Sequence, residues 1–522
     1  MAADRVSGKG FRQTMNWLHS WVGVLLGAVL LAIFWTGSLS LFDREIDRWM
    51  QPATRLPPPP SEVSLDGLLI GHAERLAASS PLWIVSLPTA RAPTLGLDYL
   101  TDGGAVRRHI DPRSGALLVD EGSWAGTGFI FPFHFSLHLR WRDIGYWLVG
   151  VAGMGMLVLL VSGVIAHRRL FAEFFTFRPD RQWLRGLLDL HNLTGVLMLP
   201  FHFIISLSGL VVFCLIYFPG IAQSLYPGDQ AQFRLEALGN YTRPASGTAA
   251  PLASLDTLWL KAEQLWAARG GAGEAYQLRI WHPGDLNAYV EVRRSHAGEV
   301  TMNVDRLTFD GVTGALLHEH RTPPMVGVQR FLTGLHLIRF DHWTLRWLYF
   351  VGGLSGCLLI GSGLLFWVGA RRARHQRQHR IGARLVEALA VAACSGLIIA
   401  TLVFLVVNRL LPVGTGAPEL RAALEVTAFY IAWLLTLAHA CWRPVRAWSE
   451  QLQMGAGLAV LAVALNWLTT GDHLLHTFLA GSKAVAGMDL MLLLLAGVCL
   501  LCAQRIRRAP VRSQPPGVTR RG

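Results

Sequence analysis

Six histidines, His19, His134, His138, His191, His202 and His336, lie in or beside apolar runs of a 522-residue chain that holds nineteen. His191 and His202 share the stretch "DLHNLTGVLMLPFHF". As one unbroken helix that stretch would place both rings on one face, about 16 Å apart. A ring in an apolar span has a plain explanation, a hydrogen bond to a neighbouring helix. Ionisable groups there are nonetheless costly, and usually functional. Zinc would need three or four converging donors, with cysteine or carboxylate help that these segments hardly offer. Haem iron needs only one or two axial imidazoles and a large apolar pocket.

The elements that must hold such rings are membrane spans. The chain is 52% hydrophobic and 16% charged, against about 25% charge in an average soluble domain. Eight apolar runs read as spans, at about 16–42, 140–166, 188–218, 345–370, 384–408, 422–441, 454–471 and 486–503. The net charge of +13 is no nucleic-acid signature. Arginines instead crowd the ends of spans, at Arg168, Arg169, Arg178, Arg181 and Arg185, at Arg371, Arg372, Arg374, Arg377 and Arg380, and at Arg505, Arg507 and Arg508. That is the positive-inside pattern, and it predicts both termini in the cytoplasm. All six cysteines fall in apolar runs, so neither a disulfide framework nor a zinc spacing exists.

The fold class expected is mainly α and polytopic, with eight transmembrane helices and two small α+β modules inserted in a duplicated helix–module–helix unit. The division expected is a first span at 1–42, a periplasmic module at 43–139, and spans two and three at 140–218 with their arginine-rich cytoplasmic loop. A second module follows at 219–344, span four at 345–370, a cytoplasmic loop at 371–383, a four-span appendage at 384–503 and a basic tail at 504–522. Each module closes on an Asp-x-x-(Ser/Thr)-Gly turn, "DPRSG" and "DGVTG".

The duplication includes the spans. "WLHSWVGVLLGAVLLAIFWTGSLSLF" aligns with "DLHNLTGVLMLPFHFIISLSGLVVFC", matching His19 with His191, Gly23 with Gly195 and Gly37 with Gly209. "FSLHLRWRDIGYWLVG" aligns with "TGLHLIRFDHWTLRWLYFVG", matching His138 with His336. Equivalent residues at equal depth predict His19 paired with His191 on the cytoplasmic side, and His138 with His336 on the outer side. His202 is a possible replacement for His138 or His336, or a group facing substrate or a propionate; His134 is a further candidate one turn before His138. Glycines such as Gly150, Gly153, Gly155, Gly352, Gly353 and Gly356 would admit a flat macrocycle or serve ordinary helix packing. Arg140, Arg142, Arg339 and Arg346 are candidates for propionate contacts or interfacial snorkelling. The aromatics Trp124, Phe129, Phe131, Phe133 and Phe135, with Trp141 and Trp147, read as an interface belt.

With these helices, the paired "LH" motifs and two outer modules, residues 10–375 or so resemble the PepSY-associated transmembrane proteins, and among them the bacterial inner-membrane ferric-siderophore reductases. That resemblance implies two b-type haems, with His19, His138, His191 and His336 in the family's histidine-bearing motifs. It implies electron transfer outward to a ferric siderophore in the periplasm. No Gly-rich dinucleotide fingerprint follows a strand, so a quinol or a separate cytoplasmic reductase is the expected donor. Two rivals stand beside the reductase: a siderophore or iron permease component, and a regulatory binding protein of PepSY type without redox activity.

Overall fold

The computed structural model describes residues 3–167, 183–270, 273–377, 381–414, 418–444 and 446–508. Arg168, Arg169, Arg178, Arg181 and Arg380 lie outside the described residues. Two compact units emerge, Met1–Gly363 with Val413–Pro418, and Leu364–Pro412 with Glu419–Gly522.

The helices that concern the site are α1 (Ala3–Ser40), α2 (Asp43–Met50), α3 (Phe131–Ser136), α4 (Ile144–Ala166), α5 (Trp183–Leu197), α6 (Leu199–Val212), α7 (Pro324–Leu337) and α8 (Trp343–Arg377), of which the part up to Gly363 belongs to the first unit. The 23 residues of α4 reach about 35 Å, enough to cross a hydrocarbon core of about 30 Å. Among the described residues seven helices are long and apolar enough to span, and the expected third span is a broken pair instead. The pair α5 and α6 bends by 67° at Met198. Pro200, in the first turn of α6, has no N–H to donate and its ring crowds the preceding turn. The bend overturns the expectation that His191 and His202 share one face of a single helix.

The two modules are not separate. Strands β1 (Leu82–Ser86), β2 (Leu95–Thr101), β3 (Gly104–Ile110), β4 (Ala275–Trp281), β5 (Tyr289–Arg294), β6 (Arg306–Asp310) and β7 (Leu316–His320) form one sheet, in the order β3-β2-β1-β4-β5-β6-β7. The antiparallel β1–β4 pair joins the halves, with Trp83 opposite Ile280 and Val85 opposite Leu278. Period-2 alternation sends Val85, Leu97, Leu278, Val292 and Phe309 into a core shared with Leu65, Leu69, Leu255 and Leu258 from the module helices. Both closing turns form as expected: Asp111 and Asp310 each accept backbone N–H groups, and Gly115 and Gly314 take φ of +71° and +68°. After the first turn the expected closing strand is a single bridge, Ile110 to Leu117.

Helices Leu65–Leu68 and Leu255–Ala267 cap one another. Ser64 Oγ and Leu65 N donate to Asp256 at 2.6 Å, while Ser254 Oγ and Leu255 N donate to Asp66 at 2.5 and 2.8 Å. Each N-cap serine also accepts from its own helix, Ser64 from Gly67 N and Ser254 from Thr257 N.

The second unit carries the spans Arg384–Leu410, Pro418–Trp442, Ala447–Thr470 and Lys483–Arg508. Buried polar side chains pair between its helices: Asn408 Nδ2 donates to Glu425 at 2.8 Å, Ser395 Oγ to Gln451 at 2.8 Å and Asn466 Nδ2 to Asp489 at 3.3 Å.

Candidate cofactor site

Four histidines meet as two pairs. At the end of α1 away from the sheet, the rings of His19 and His191 stand with centroids 6.1 Å apart and nearly perpendicular planes. At the sheet end, the rings of His134 and His336 stand 6.0 Å apart, with planes 24° from parallel. Two imidazoles on opposite sides of one metal, each bonded through nitrogen at about 2 Å, have centroids roughly 6 Å apart.

All four rings are anchored in the same way. His19 Nδ1 lies 3.0 Å from Leu159 O, and His191 Nδ1 lies 2.8 Å from Leu359 O. His134 Nδ1 is 2.8 Å from Ile33 O, and His336 Nδ1 is 2.9 Å from Ile205 O. A carbonyl oxygen can only accept, so each Nδ1 carries the proton and each Nε2 keeps its lone pair. Metal-bound histidines are held in that tautomer by that kind of partner.

Glycines make room for the rings. A Cβ at Gly37 would stand 2.7 Å from His134, and one at Gly209 would stand 2.7 Å from His336. At Gly163 and Gly363 it would stand 3.1 Å from His19 and 2.9 Å from His191. Gly163 and Gly363 were not among the glycines singled out, although they follow the matching serines Ser162 and Ser362 in the two copies. Several glycines singled out for a macrocycle meet ordinary neighbours instead, as Gly153 does Leu210 and Gly356 does Phe34.

The sheet-side pairing corrects the expected one. Leu137 and His138 take the left-handed conformation, at φ 49° and 52°, and turn the chain away just after α3. His138 therefore leaves the helix that carries His134 and packs on Trp124 and Phe129, with centroids 5.7 and 4.9 Å away. The equivalent of His336 is His134, whose anchor Ile33 and neighbour Gly37 correspond to Ile205 and Gly209. His202 joins neither pair. It is fully buried, its Nε2 lies 3.1 Å from Ser355 Oγ, and its ring packs edge-on against Phe34.

The arginines offered for propionates are engaged with the protein. Arg339 pairs with Asp43 at 2.9 Å and lies over Phe131, while Arg346 donates to Leu41 O and Phe340 O. Arg140 and Arg142 stack on Trp124 and Trp141. The aromatic segment divides: Phe129 and Phe133 are buried, whereas Trp141 and Trp147 are exposed as belt residues would be.

Among the described residues no three histidines, cysteines or carboxylates converge on a point that would hold a bare metal ion. Each histidine pair offers two imidazole nitrogens and no further donors, a set that would suit a metal carrying its own in-plane ligands. The donor set fits haem.

Comparison with known proteins matches residues 16–370 to the family described as the PepSY-associated TM region. The chain is also 29% identical over 387 residues to an uncharacterized protein of Pseudomonas aeruginosa, a match that covers 71% of this chain and 93% of that one.

Proposed function

The chain belongs to the PepSY-associated transmembrane family, and from that premise we propose that it carries electrons across the bacterial inner membrane to reduce Fe(III) in a periplasmic siderophore. The observation that carries this reading is the repeated geometry of His19 with His191 and His134 with His336: two donors each, about 6 Å between centroids, every Nδ1 on a backbone carbonyl.

A b-type haem at each pair would supply reversible one-electron chemistry. The residues do the rest. The four carbonyls fix the tautomer and orient the rings, and the four glycines leave the space in which those rings sit. In both halves fourteen residues separate the far-side histidine from the sheet-side carbonyl, His19 to Ile33 and His191 to Ile205; along α1 that is about 21 Å. The two centres would thus serve opposite halves of the bilayer. Reduction of the substrate iron weakens its binding to hard oxygen ligands and releases it. The electron donor is a quinol or a cytoplasmic reductase.

The test is the visible spectrum of purified protein, oxidised and dithionite-reduced, with a pyridine haemochrome count. Two haems per chain are expected; a protein that stays colourless after expression with added haem precursor would sink the reading. A permease is the second reading, favoured by the broken α5–α6 pair, since carriers bind cargo at interrupted helices. Uptake of labelled siderophore into proteoliposomes without reductant would identify it.

A further inference from the structure

The sheet's polar face is charge-balanced in the first module and unbalanced in the second. The matching turns at Asp111 and Asp310 set the equivalence, because Arg107 and Arg306 each lie four residues before that aspartate. Arg107 stands opposite Asp98 across β3 and β2, and the two form a bidentate ion pair at 2.7 and 2.8 Å. Arg306 stands opposite Arg293 across β6 and β5. Like charges directly opposite one another destabilise a sheet, so this pair needs a reason.

Two more cations join them. Arg279 on β4 lies on the same face in the neighbouring row, opposite Glu291, and Arg330 of α7 lies near enough to Arg293 for their charges to repel. Glu291 is the one carboxylate among them, 3.5 Å from Arg306 and 3.7 Å from Arg293. Burial and the neighbouring arginines together lower Arg306 to about 10. Several polar atoms of this face are buried without a hydrogen bond: Arg293 Nε, Glu291 Oε2, Thr308 Oγ1, His318 Nε2 and His320 Nε2. Buried polar atoms normally find partners, so such a concentration on one surface calls for an explanation.

We propose that the polar face of β4–β7, built on Arg279, Arg293, Arg306 and Arg330, binds an anionic, carboxylate-bearing iron chelate. The proposal rests on the reductase reading for its choice of a chelate among anions. Arginine guanidinium forks match carboxylates in shape and charge. The placement suits delivery of an electron: Arg330 and His336 are six residues apart on α7, about 9 Å along its axis.

The test is equilibrium dialysis of the full-length protein in neutral detergent against radio-iron-labelled ferric citrate, an anion, and ferrioxamine B, a cationic ferric chelate. Ferric citrate should be retained, more weakly at high salt, and ferrioxamine B should not. Arg293→Gln and Arg306→Gln should each weaken retention roughly tenfold, the scale of one charge-assisted hydrogen bond. Glu291→Gln, which removes the local negative charge, should tighten it, so a misfolded arginine variant does not leave the matter open. Equal retention of both chelates, or none, would overturn the proposal, as would retention indifferent to all three substitutions. Retention abolished by added phosphatidylglycerol would assign the site to a lipid phosphate and overturn it too. Dialysis involves no redox step, so a colourless protein that retains ferric citrate refutes the haem reading alone, and a two-haem protein that ignores it refutes this site alone.

Discussion

Asp66 and Asp256 exchange helix caps: each carboxylate accepts the N-cap serine hydroxyl and the following backbone N–H of the other module's helix. The first turns of both helices depend on their partner half. Asp66→Ala and Asp256→Ala should each cost about 1 kcal/mol, the usual size of a lost cap. The double variant should lose about the sum, measured as the thermal midpoint in detergent. Tolerance of either substitution would mean that water replaces the cap.

His134 and His138 should differ sharply in haem content. His134→Ala is expected to lose one of two haems in a pyridine haemochrome assay, and His138→Ala to keep both. The reverse result would restore the pairing expected from the sequence.

Gly37→Ala and Gly209→Ala place a methyl group 2.7 Å from a sheet-side ring. Both should reduce haem at that centre while His19 and His191 keep theirs. Gly163→Ala, at 3.1 Å, should perturb the far-side centre less. Redox titration separates the two if their potentials differ, and resonance Raman reports loss of six-coordination.

Asp47 supplies a pH dependence. Burial raises its carboxyl to about 6, although Thr127 donates to it through both N and Oγ1. An acid whose pKa is higher folded than unfolded binds more protons in the folded state, so its contribution to stability falls as pH rises from about 4 to 6 and is flat above. Asp47→Asn should therefore raise the thermal midpoint at pH 7.5 and change it little at pH 4. A gain on the order of 1 kcal/mol is expected, since Asp47 keeps some contact with solvent. An equal effect at both pH values would assign it to packing.

Glu425 lies fully buried in the second unit, with Asn408 and Arg421 against it. Glu425→Ala strands those partners and should cost about 3 kcal/mol or more. Glu425→Gln, which keeps the acceptor oxygen, should cost clearly less in the same thermal unfolding assay.

The sequence carried the architecture well because its signals are long. Apolar runs of span length, arginine clusters and a duplicated order of elements survive errors of a few residues. The register of short motifs did not survive. Aligning the two "LH" dipeptides was four residues, about one helical turn, out of step, because the left-handed pair Leu137–His138 ends α3 where α7 runs on to Leu337. The ring acceptors Ile33, Ile205, Leu159 and Leu359 were invisible for another reason: they act through backbone oxygen, which any residue supplies. The bend at Met198 falls where Pro200 interrupts a stretch read as the single span 188–218. The opposition of Arg293 to Arg306 was not legible, because it depends on strand pairing across a turn of unknown length.

The swapped caps and the β1–β4 seam also bear on origin. Each is a self-complementary contact, in which one copy gives to the other what it receives. Such contacts are what a twofold-symmetric homodimer makes at its interface. A gene encoding a single helix–module–helix unit would then have made a working pair before it was doubled. Fusion removed the need for the copies to stay alike, and one sheet face was free to exchange an aspartate for an arginine while the other kept its balance.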